Sequence, residues 1–286
     1  SLGLPVPPGF TIPTEVCAEY YDRGVKLPPG LMDQVRENLK KLEGEMGKGF
    51  GSKENPLLVS VRSGAAVSMP GMMDTVLNLG LNDATAEWMA EVMDERVAYD
   101  AYRRLVHMFG DVVMGVDHEH FEDAFAVIRE KYGATVDTEV PASGMKELVA
   151  SYKKVYEKRT GEPFPQDPYK QLQLAVDAVF RSWNTPRAVR YREINHLHGY
   201  VGTAVTVQAM VFGNLGEDSG TGVAFTRNPS TGENEFYGEF LVNAQGEDVV
   251  AGIRTPRAVS EMKEWDAKVY EELLEMKWVL EGHFKD

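Results

Sequence analysis

The hydrophobic pattern of the chain changes its period along the sequence, and this change limits the possible fold more than any other feature. Between Asp83 and Lys158, apolar residues recur at the three- and four-residue spacing of amphipathic helices. From Thr203 to Val211, apolar and polar residues alternate, as they do in a strand with one buried face. A helical stretch set between strand-bearing stretches predicts an α/β (α+β) fold with a helical insertion.

Short apolar stretches outside the helical region predict the other strands. Leu57–Val61 has the pattern of a buried strand and runs directly into Arg62. Gly222–Thr226 and Phe236–Val242 are typical of an antiparallel hairpin. We expect the strand before Arg62 to share one sheet with the alternating stretch. The remaining predictions are helices at Leu31–Glu45, Ala84–Glu95, Ala98–Phe109, His120–Tyr132, Ser143–Lys158 (with Ser143 as N-cap), Tyr169–Ser182 and Pro186–Ile194, a strand at Asp248–Ile253 and a closing helix at Val259–Phe284.

The same pattern predicts three parts. Residues 1–82 and 168–212 are expected to form a first α/β subdomain, and residues 83–167 a helical insertion subdomain. Residues 213–286 are expected to form a second, β-rich subdomain that is incomplete at its C-terminus. One insertion explains this order more simply than four separate domains. Because no initiator Met precedes Ser1, we also expect the chain to be part of a longer protein.

Composition narrows the class of partner. The formal net charge is −14, so we expect no general attraction to nucleic acid or to an anionic membrane. A single cysteine, Cys17, excludes an internal disulfide framework. No apolar run approaches the ~20 residues of a membrane span. We expect a soluble protein, cytoplasmic or organellar, and any phosphate it binds must be held by a local cluster of donors.

One such cluster begins at Arg62. A strand that delivers a guanidinium to a loop of small residues can hold phosphates, because the planar guanidinium binds two phosphate oxygens at once. Gly71 in that loop allows close approach of backbone N–H groups. Met69, Met72 and Met73 suit a loop that closes over a ligand. On spacing alone, an ordinary surface arginine explains this pattern equally well.

Two further groups are weaker candidates. Glu239 and the stretch Asn243–Asp248 place carboxylates at strand ends, where they could hold Mg²⁺. From the residues alone, a solvated acidic turn is the better explanation. The strand Gln208–Val211 could offer its backbone to an adenine edge, although most such strands are simply core. His118-Glu119-His120 suggests a metal, but neighbouring helix positions face different directions, so an exposed charged segment is expected.

Two long motifs carry a resemblance to a known family. Ser60–Gly80 and Asn243–Pro256 closely resemble the corresponding stretches of the pyruvate, phosphate dikinase family, and Leu4–Phe10, Tyr99–Arg104 and Gly220–Pro229 match as well. The resemblance covers essentially the whole chain. Phosphoenolpyruvate synthase, the nearest related family, has a different loop after its Val-Arg-Ser and lacks the Asn-Ala-Gln-Gly-Glu-Asp stretch.

The resemblance implies an ATP-grasp nucleotide-binding fold and a phosphotransferase. The family converts ATP, inorganic phosphate and pyruvate into AMP, pyrophosphate and phosphoenolpyruvate, with Mg²⁺ accompanying ATP. A histidine on a central domain carries the phosphoryl group to a pyruvate-binding barrel, and the parent is expected to be a homodimer. This chain resembles the N-terminal, ATP-binding part. None of its six histidines has the Thr-Ser-His context of the carrier, so we expect no catalytic residue here and no complete reaction from this chain alone.

The resemblance also implies site residues. Arg62 matches the arginine that contacts the triphosphate, and the loop over the phosphates is matched by Gly71, Met73, Asp74 and Thr75. Gln208, Met210 and Val211 are expected near the adenine, and Glu239 is a possible acid of the cleft. The metal ligands are expected beyond Asp286. The alternatives are a related dikinase, such as phosphoenolpyruvate synthase, and a nucleotide-binding module without catalysis.

Overall fold

The computed structural model describes residues 2–67, 69, 71–250 and 254–284. It confirms the mixed α/β class that the hydrophobic periods predict. By contacts the chain forms two compact units. One is Pro7–Met210, and the other contains the described residues of Ser1–Val6 and Val211–Asp286. No described helix is both long enough and apolar enough to cross a bilayer.

The first unit combines six strands with eight α-helices among its described residues. The strands are β1 (Gly9–Ile12), β2 (Gly49–Phe50), β3 (Pro56–Leu57), β4 (Val59–Gly64), β5 (Thr75–Leu79) and β6 (Ala204–Ala209). The α-helices are α1 (Thr14–Asp22), α2 (Leu31–Met46), α3 (Asp83–Val92), α4 (Glu95–Met108), α5 (Glu119–Tyr132), α6 (Ala142–Thr160), α7 (Pro168–Ser182) and α8 (Pro186–Ile194). A π-helical segment, Phe109–Val113, follows α4, and a 3₁₀ turn spans Asp137–Glu139.

The main sheet of this unit has the strand order β1-β6-β4-β5, and all three neighbouring pairs are antiparallel. The prediction that the strand before Arg62 shares a sheet with the alternating stretch is therefore confirmed. A second, parallel pair joins β2 and β3. The strand β5 was not predicted, because the loop pattern before it obscured the short apolar run that starts at Thr75.

Alternation along the strands gives the main sheet one buried face. The side chains on that face are Ile12, Val59, Val61, Val76, Val205 and Val207. Helix α7 packs against β4, β5 and β6, and α1 packs against β6. The opposite face carries polar side chains and is partly open to solvent.

The helical stretch leaves and rejoins the sheet at neighbouring points. The buried side chain of Gln171, on α7, accepts a hydrogen bond from Gly80 N–H at 3.1 Å and donates to Leu81 O at 2.9 Å and Pro165 O at 2.8 Å. One amide thus joins the chain before α3 to the chain after α6. This closure supports an insertion, while the three-part division of the chain stays a prediction.

We expect Gln171→Leu to lower the free energy of unfolding by about 1–3 kcal/mol, because it leaves buried backbone groups without partners while keeping side-chain volume. The measurement is urea unfolding followed by circular dichroism. Gln173→Leu on the exposed side of the same helix is the matched control and should change stability by no more than about 0.5 kcal/mol. Equal effects of the two variants would contradict a role for the Gln171 amide.

The second unit is built on a three-stranded antiparallel sheet. Its strands are β7 (Gly220–Phe225), β8 (Tyr237–Val242) and β9 (Arg257–Ala258), in the order β7-β8-β9, and its helices are α9 (Gly246–Val250), α10 (Met262–Trp265) and α11 (Ala267–Phe284), with a 3₁₀ turn at Val259–Glu261. The predicted hairpin is confirmed. Phe240, Val259 and Met262 form its buried cluster, and Trp265 packs against them.

Two local predictions in this unit were wrong. The strand predicted at Asp248–Ile253 is helical in its described part, Gly246–Val250, and residues 251–253 lie outside the described residues. The carboxylate of Asp248 accepts Gln245 N–H at 2.9 Å, a local bond that favours a helical turn. The single closing helix is interrupted at Asp266, whose carboxylate caps α11 by accepting Lys268 N–H at 2.9 Å.

The predicted N-cap of α6 was also wrong. The helix begins at Ala142, directly after the extended residue Pro141, so Ser143 lies inside its first turn. Proline supplies a fixed φ near the start of a helix and lacks the N–H group that would be left without a partner there. The chain therefore enters the helix earlier than the serine pattern indicated.

Candidate functional site

Arg62 lies at the centre of the open face of the main sheet. It faces Thr206 on β6 and Thr75 on β5, and Thr206 in turn faces Thr11 on β1. Because directly paired residues project to the same side, these four side chains form one row across all four strands. The hydroxyls of Thr11 and Thr206 are 3.1 Å apart. We call Thr11, Thr206, Arg62 and Thr75 the polar row.

The Arg62 side chain is exposed, and within the described part of the chain no hydrogen bond or ion pair holds its guanidinium. The backbone beneath it is rigid, since Val61 is fully buried and β4 is paired on both sides. A free guanidinium on a fixed strand can offer two parallel N–H donors to an anion without first breaking an internal salt bridge. This arrangement suits a phosphate group.

The loop that follows β4 returns to the sheet at Thr75, beside Arg62. Ser68 and Pro70, which belong to the predicted loop motif, lie outside the described residues. Gly71 is exposed and has φ of 68°, the left-handed conformation that glycine adopts most readily. Met72 N–H donates to Met69 O at 3.1 Å, which closes a turn around Gly71. Gly71 thus lies in a turn of the loop, and its predicted approach to phosphates stays a prediction.

Asp74 holds the end of this loop against two helices. Its carboxylate forms an ion pair with Arg187 on α8, and its N–H donates to Ser182 Oγ on α7 at 3.3 Å. Arg187 Nε also donates to Met72 O at 3.2 Å. Burial raises the pKa of the Asp74 carboxyl, and the Arg187 charge opposes that rise. Arg187 thus engages the Asp74 carboxylate and ties the end of the loop to α8, while the predicted contact of Asp74 with phosphate stays a prediction.

The methionines of the loop differ in exposure. Met69 is buried, whereas Met72 and Met73 are partly exposed. Met73 lies between the turn at Gly71 and the strand β5, within three residues of both. The Met73 thioether is therefore accessible to a ligand. The Met69 side chain is buried and anchors the loop in the core.

The predicted adenine-side residues lie at the end of β6. The Gln208 amide donates to Pro7 O at 3.0 Å, and Met210 N–H donates to Leu58 O at 2.9 Å. These two donors are therefore engaged inside the first unit and are not free to meet a base. Val211 is 69% exposed and belongs to the second unit.

Glu239 lies on β8 of the second unit, paired with Val223 on β7 and Ala258 on β9. It is exposed, and among the residues that the structure describes none forms a hydrogen bond or ion pair with its carboxylate. Glu239 also lines a cavity of about 460 Å³ in the same unit, whose walls are mostly apolar and include Phe240 and Leu273. Its role as an acid of the cleft stays a prediction.

Three contributors to the geometry were missed by sequence reasoning. Thr206 and Thr11 complete the polar row, and Arg187 holds the loop. The alternation of β6 was a usable signal for Thr206, because it places this residue on the same face as Gln208. Nothing in the sequence pairs Arg187 with Asp74, since that contact depends on how α8 packs.

The chain is similar to known proteins along its whole length. The family described as "Pyruvate phosphate dikinase, AMP/ATP-binding domain" matches residues 23–277. The chain is 56% identical over its full length to "Pyruvate, phosphate dikinase, chloroplastic" of Mesembryanthemum crystallinum and 57% identical to "Pyruvate, phosphate dikinase 1, chloroplastic" of Oryza sativa subsp. japonica, covering 30% of each relative. It is 56% identical to "Pyruvate, phosphate dikinase 2" of Zea mays, of which it covers 32%.

The chain thus spans about a third of the length of the curated relatives it matches, and all of its own residues are covered by the match. The family match includes β4 with Arg62, the loop to Thr75, and every described strand except β1. On this evidence the chain belongs to the pyruvate phosphate dikinase AMP/ATP-binding domain family.

Proposed function

We propose that this chain binds Mg²⁺·ATP, with the triphosphate held over the polar row of the main sheet. The observation that carries this proposal is the guanidinium of Arg62, which has no hydrogen-bond or ion-pair partner among the described residues and stands on a strand whose valines on the other face are fully buried. Arg62 would bind phosphate oxygens directly, and the neighbouring hydroxyls of Thr75 and Thr206 would donate further hydrogen bonds.

The loop around Gly71 would lie along the phosphates. A glycine in the left-handed conformation leaves the backbone N–H groups accessible to an anion. The ion pair between Asp74 and Arg187 would hold the loop in position next to the phosphates. Met73 would exclude water from the ligand. Glu239, whose carboxylate has no partner among the described residues, is proposed as an acid of this chain that could bind a divalent cation.

In the longer protein, we propose that this domain takes part in a dikinase reaction. The γ-phosphoryl group of ATP passes to inorganic phosphate, giving pyrophosphate, and the β-phosphoryl group passes to a carrier histidine on another domain, leaving AMP. Pyruvate bound in the barrel domain then receives the phosphoryl group from the carrier histidine and becomes phosphoenolpyruvate. The chain is 56–57% identical to dikinase relatives over its whole length, and this similarity supports the role. A homodimeric parent belongs to the same proposal.

The chemistry asks little of the protein beyond alignment and charge neutralisation. Negative charge grows on the oxygens between the transferring and leaving phosphates, and a fixed guanidinium stabilises that charge without reorganising during the reaction. Exclusion of water matters equally, because water would otherwise compete with the acceptor.

A measurement of ATP binding by the 286-residue chain tests the first part of the proposal, which is that the chain binds Mg²⁺·ATP. We expect weak binding of Mg²⁺·ATP, with Kd on the order of 0.1–1 mM, and no formation of AMP and pyrophosphate. Arg62→Ala should weaken binding about 10- to 100-fold, since a hydrogen-bonded charge pair contributes about 1.5–3 kcal/mol. The measurement is a titration followed by NMR chemical shifts.

Arg190→Ala is the matched control, because Arg190 is an exposed arginine on α8 whose only described ion pair is with Glu193. It should leave the Kd unchanged. Equal losses in the Arg62 and Arg190 variants would mean that general positive charge, and not the polar row, attracts ATP. Turnover by the chain alone would contradict the assignment of the carrier to another domain.

A further inference from the structure

A cluster of three potential metal ligands lies away from the polar row, where α4 ends and α5 begins. His107 is in the last turn of α4, His118 directly precedes α5, and Glu122 lies in its first turn. His107 Nε2 is 2.9 Å from His118 Nδ1, and His118 Nε2 is 3.7 Å from Glu122 Oε1. One donor atom from each side chain lies within 4.8 Å of the other two.

The most buried of the three ligands is held in place by aromatic packing. The His107 ring stacks on His118 with centroids 4.6 Å apart and contacts the Phe121 ring at 4.7 Å. Tyr152 meets it edge-on at 5.5 Å. These contacts fix the ring so that its Nε2 atom points towards the other two side chains, which are about half exposed.

The backbone between the ligands has an unusual form. The π-helical segment Phe109–Val113 replaces a regular helical ending, and π-helical turns occur most often at functional sites. Gly110 in this segment allows the Phe121 ring to approach, since a Cβ atom there would lie 2.4 Å from the ring. The segment therefore brings the end of α4 against the start of α5, and with them the ligands.

We infer that His107, His118 and Glu122 bind a divalent transition-metal ion of the zinc class. Two imidazoles and one carboxylate are typical ligands for such an ion, whereas Mg²⁺ and Ca²⁺ prefer oxygen ligands alone. Ligand atoms about 2.1 Å from a tetrahedral ion lie about 3.4 Å apart, and one donor atom from each of the three side chains already lies within 4.8 Å of the other two. A small rotation of exposed His118 would aim one nitrogen at the ion.

The charges around the cluster favour a cation. Asp111, in the π-helical segment, lies within electrostatic range of His118 and of Asp117. Arg103, which lies within electrostatic range of His107, is paired with the Asp100 carboxylate at 2.8 Å. Arg187 also lies within electrostatic range of Asp111, and Asp117 accepts a hydrogen bond from Glu119 N–H at 3.0 Å. The two carboxylates add negative charge near the ligands, and water can fill the open coordination positions on the exposed side. The cluster shares no residue with the site proposed for ATP.

The test is a zinc titration of the untagged 286-residue chain in competition with a chromophoric chelator, repeated with Co²⁺ to record its visible absorption. We expect one equivalent of Zn²⁺ to bind, and a Co²⁺ spectrum with the intensity of four- or five-coordination. A millimolar excess of Mg²⁺ should not displace the ion. His118→Gln and Glu122→Gln should each weaken binding at least tenfold, since even outer ligand partners contribute 10- to 100-fold.

His120→Gln is the matched control, because His120 lies on the same helix but contacts Arg159 outside the cluster. It should bind zinc like the unaltered chain. Both test positions are exposed, so loss of binding with an unchanged circular dichroism spectrum excludes unfolding as the cause. Absence of a stoichiometric zinc site, or equal affinity in the His118, Glu122 and His120 variants, would overturn the inference.

Discussion

In a full-length dikinase that contains this domain, Arg62→Ala should slow the half-reaction of ATP and phosphate by roughly 10²–10³ and leave the pyruvate half-reaction unchanged. Removing one charge-assisted contact from a preorganised phosphate site costs about 2–4 kcal/mol of transition-state stabilisation. The effect should be local, because the proposed pyruvate chemistry occurs on another domain. The measurement is isotope exchange of each half-reaction separately.

Arg62→Lys should recover only part of the loss, since lysine keeps the charge but lacks the planar pair of N–H donors. Arg190→Ala again serves as the control and should alter neither half-reaction by more than about 0.5 kcal/mol. Equal losses in both half-reactions would assign Arg62 to folding. The proposed contact with the triphosphate would then have to be withdrawn.

Asp100→Ala should cause the largest loss of stability, about 3–5 kcal/mol in the free energy of unfolding. The Asp100 carboxylate is buried on α4 and accepts from Arg103 Nε at 2.8 Å and Arg104 Nε at 3.0 Å. Its removal leaves the nearly buried Arg103 with the longer contact to Asp137, at 3.6 Å, as its ion pair among the described residues. The measurement is urea unfolding followed by circular dichroism.

Asp123→Ala, an exposed position on the neighbouring helix α5, is the matched control and should stay within about 0.5 kcal/mol of the unaltered chain. Asp100→Asn should fall between the two, because it keeps an acceptor but loses the charge. A loss below about 1 kcal/mol in Asp100→Ala would show that the buried ion pairs contribute little net stability.

The same carboxylate links stability to pH. Burial raises the pKa of Asp100, but the charges of Arg103, Arg104 and Arg96 outweigh burial and lower it to about 2, from an ordinary 3.8. The unfolded chain therefore binds this proton first as pH falls. The stabilisation by Asp100 is complete above about pH 4 and is lost between about pH 4 and pH 2. Asp100→Ala should remove this part of the acid dependence.

Much of the fold could be predicted because its signals are local. The amphipathic spacing after Asp83 and the alternation before Val211 follow from the periods of helix and strand, which any window of the chain displays. Errors arose where local bonds decided the outcome. Asp248 favours a helical turn by accepting Gln245 N–H, and Asp266 divides the closing helix in two.

In the candidate site, too, some residues could be predicted from the sequence and others could not. Arg62 and Gly71 could be named from the sequence, because a strand that ends in a small-residue loop is a local motif. The residues that contact them in the folded chain could not be predicted from the sequence. Arg187 reaches Asp74 only because α8 packs beside the loop, and His107 reaches His118 only because the π-helical segment brings two helix ends together.

From the sequence alone, most helices and strands could be located, although β5 and α9 could not, and Arg62 could be identified as the arginine that leads into the loop, since propensity and hydrophobic period act over a few residues. Which side chains share a face with Arg62 depends on contacts between strands that are distant in the chain. The register of β4 against β6 places Thr206 beside it, and the register of β6 against β1 adds Thr11. Strand register is set by the packing of the buried valines against α7, which joins residues far apart in the chain.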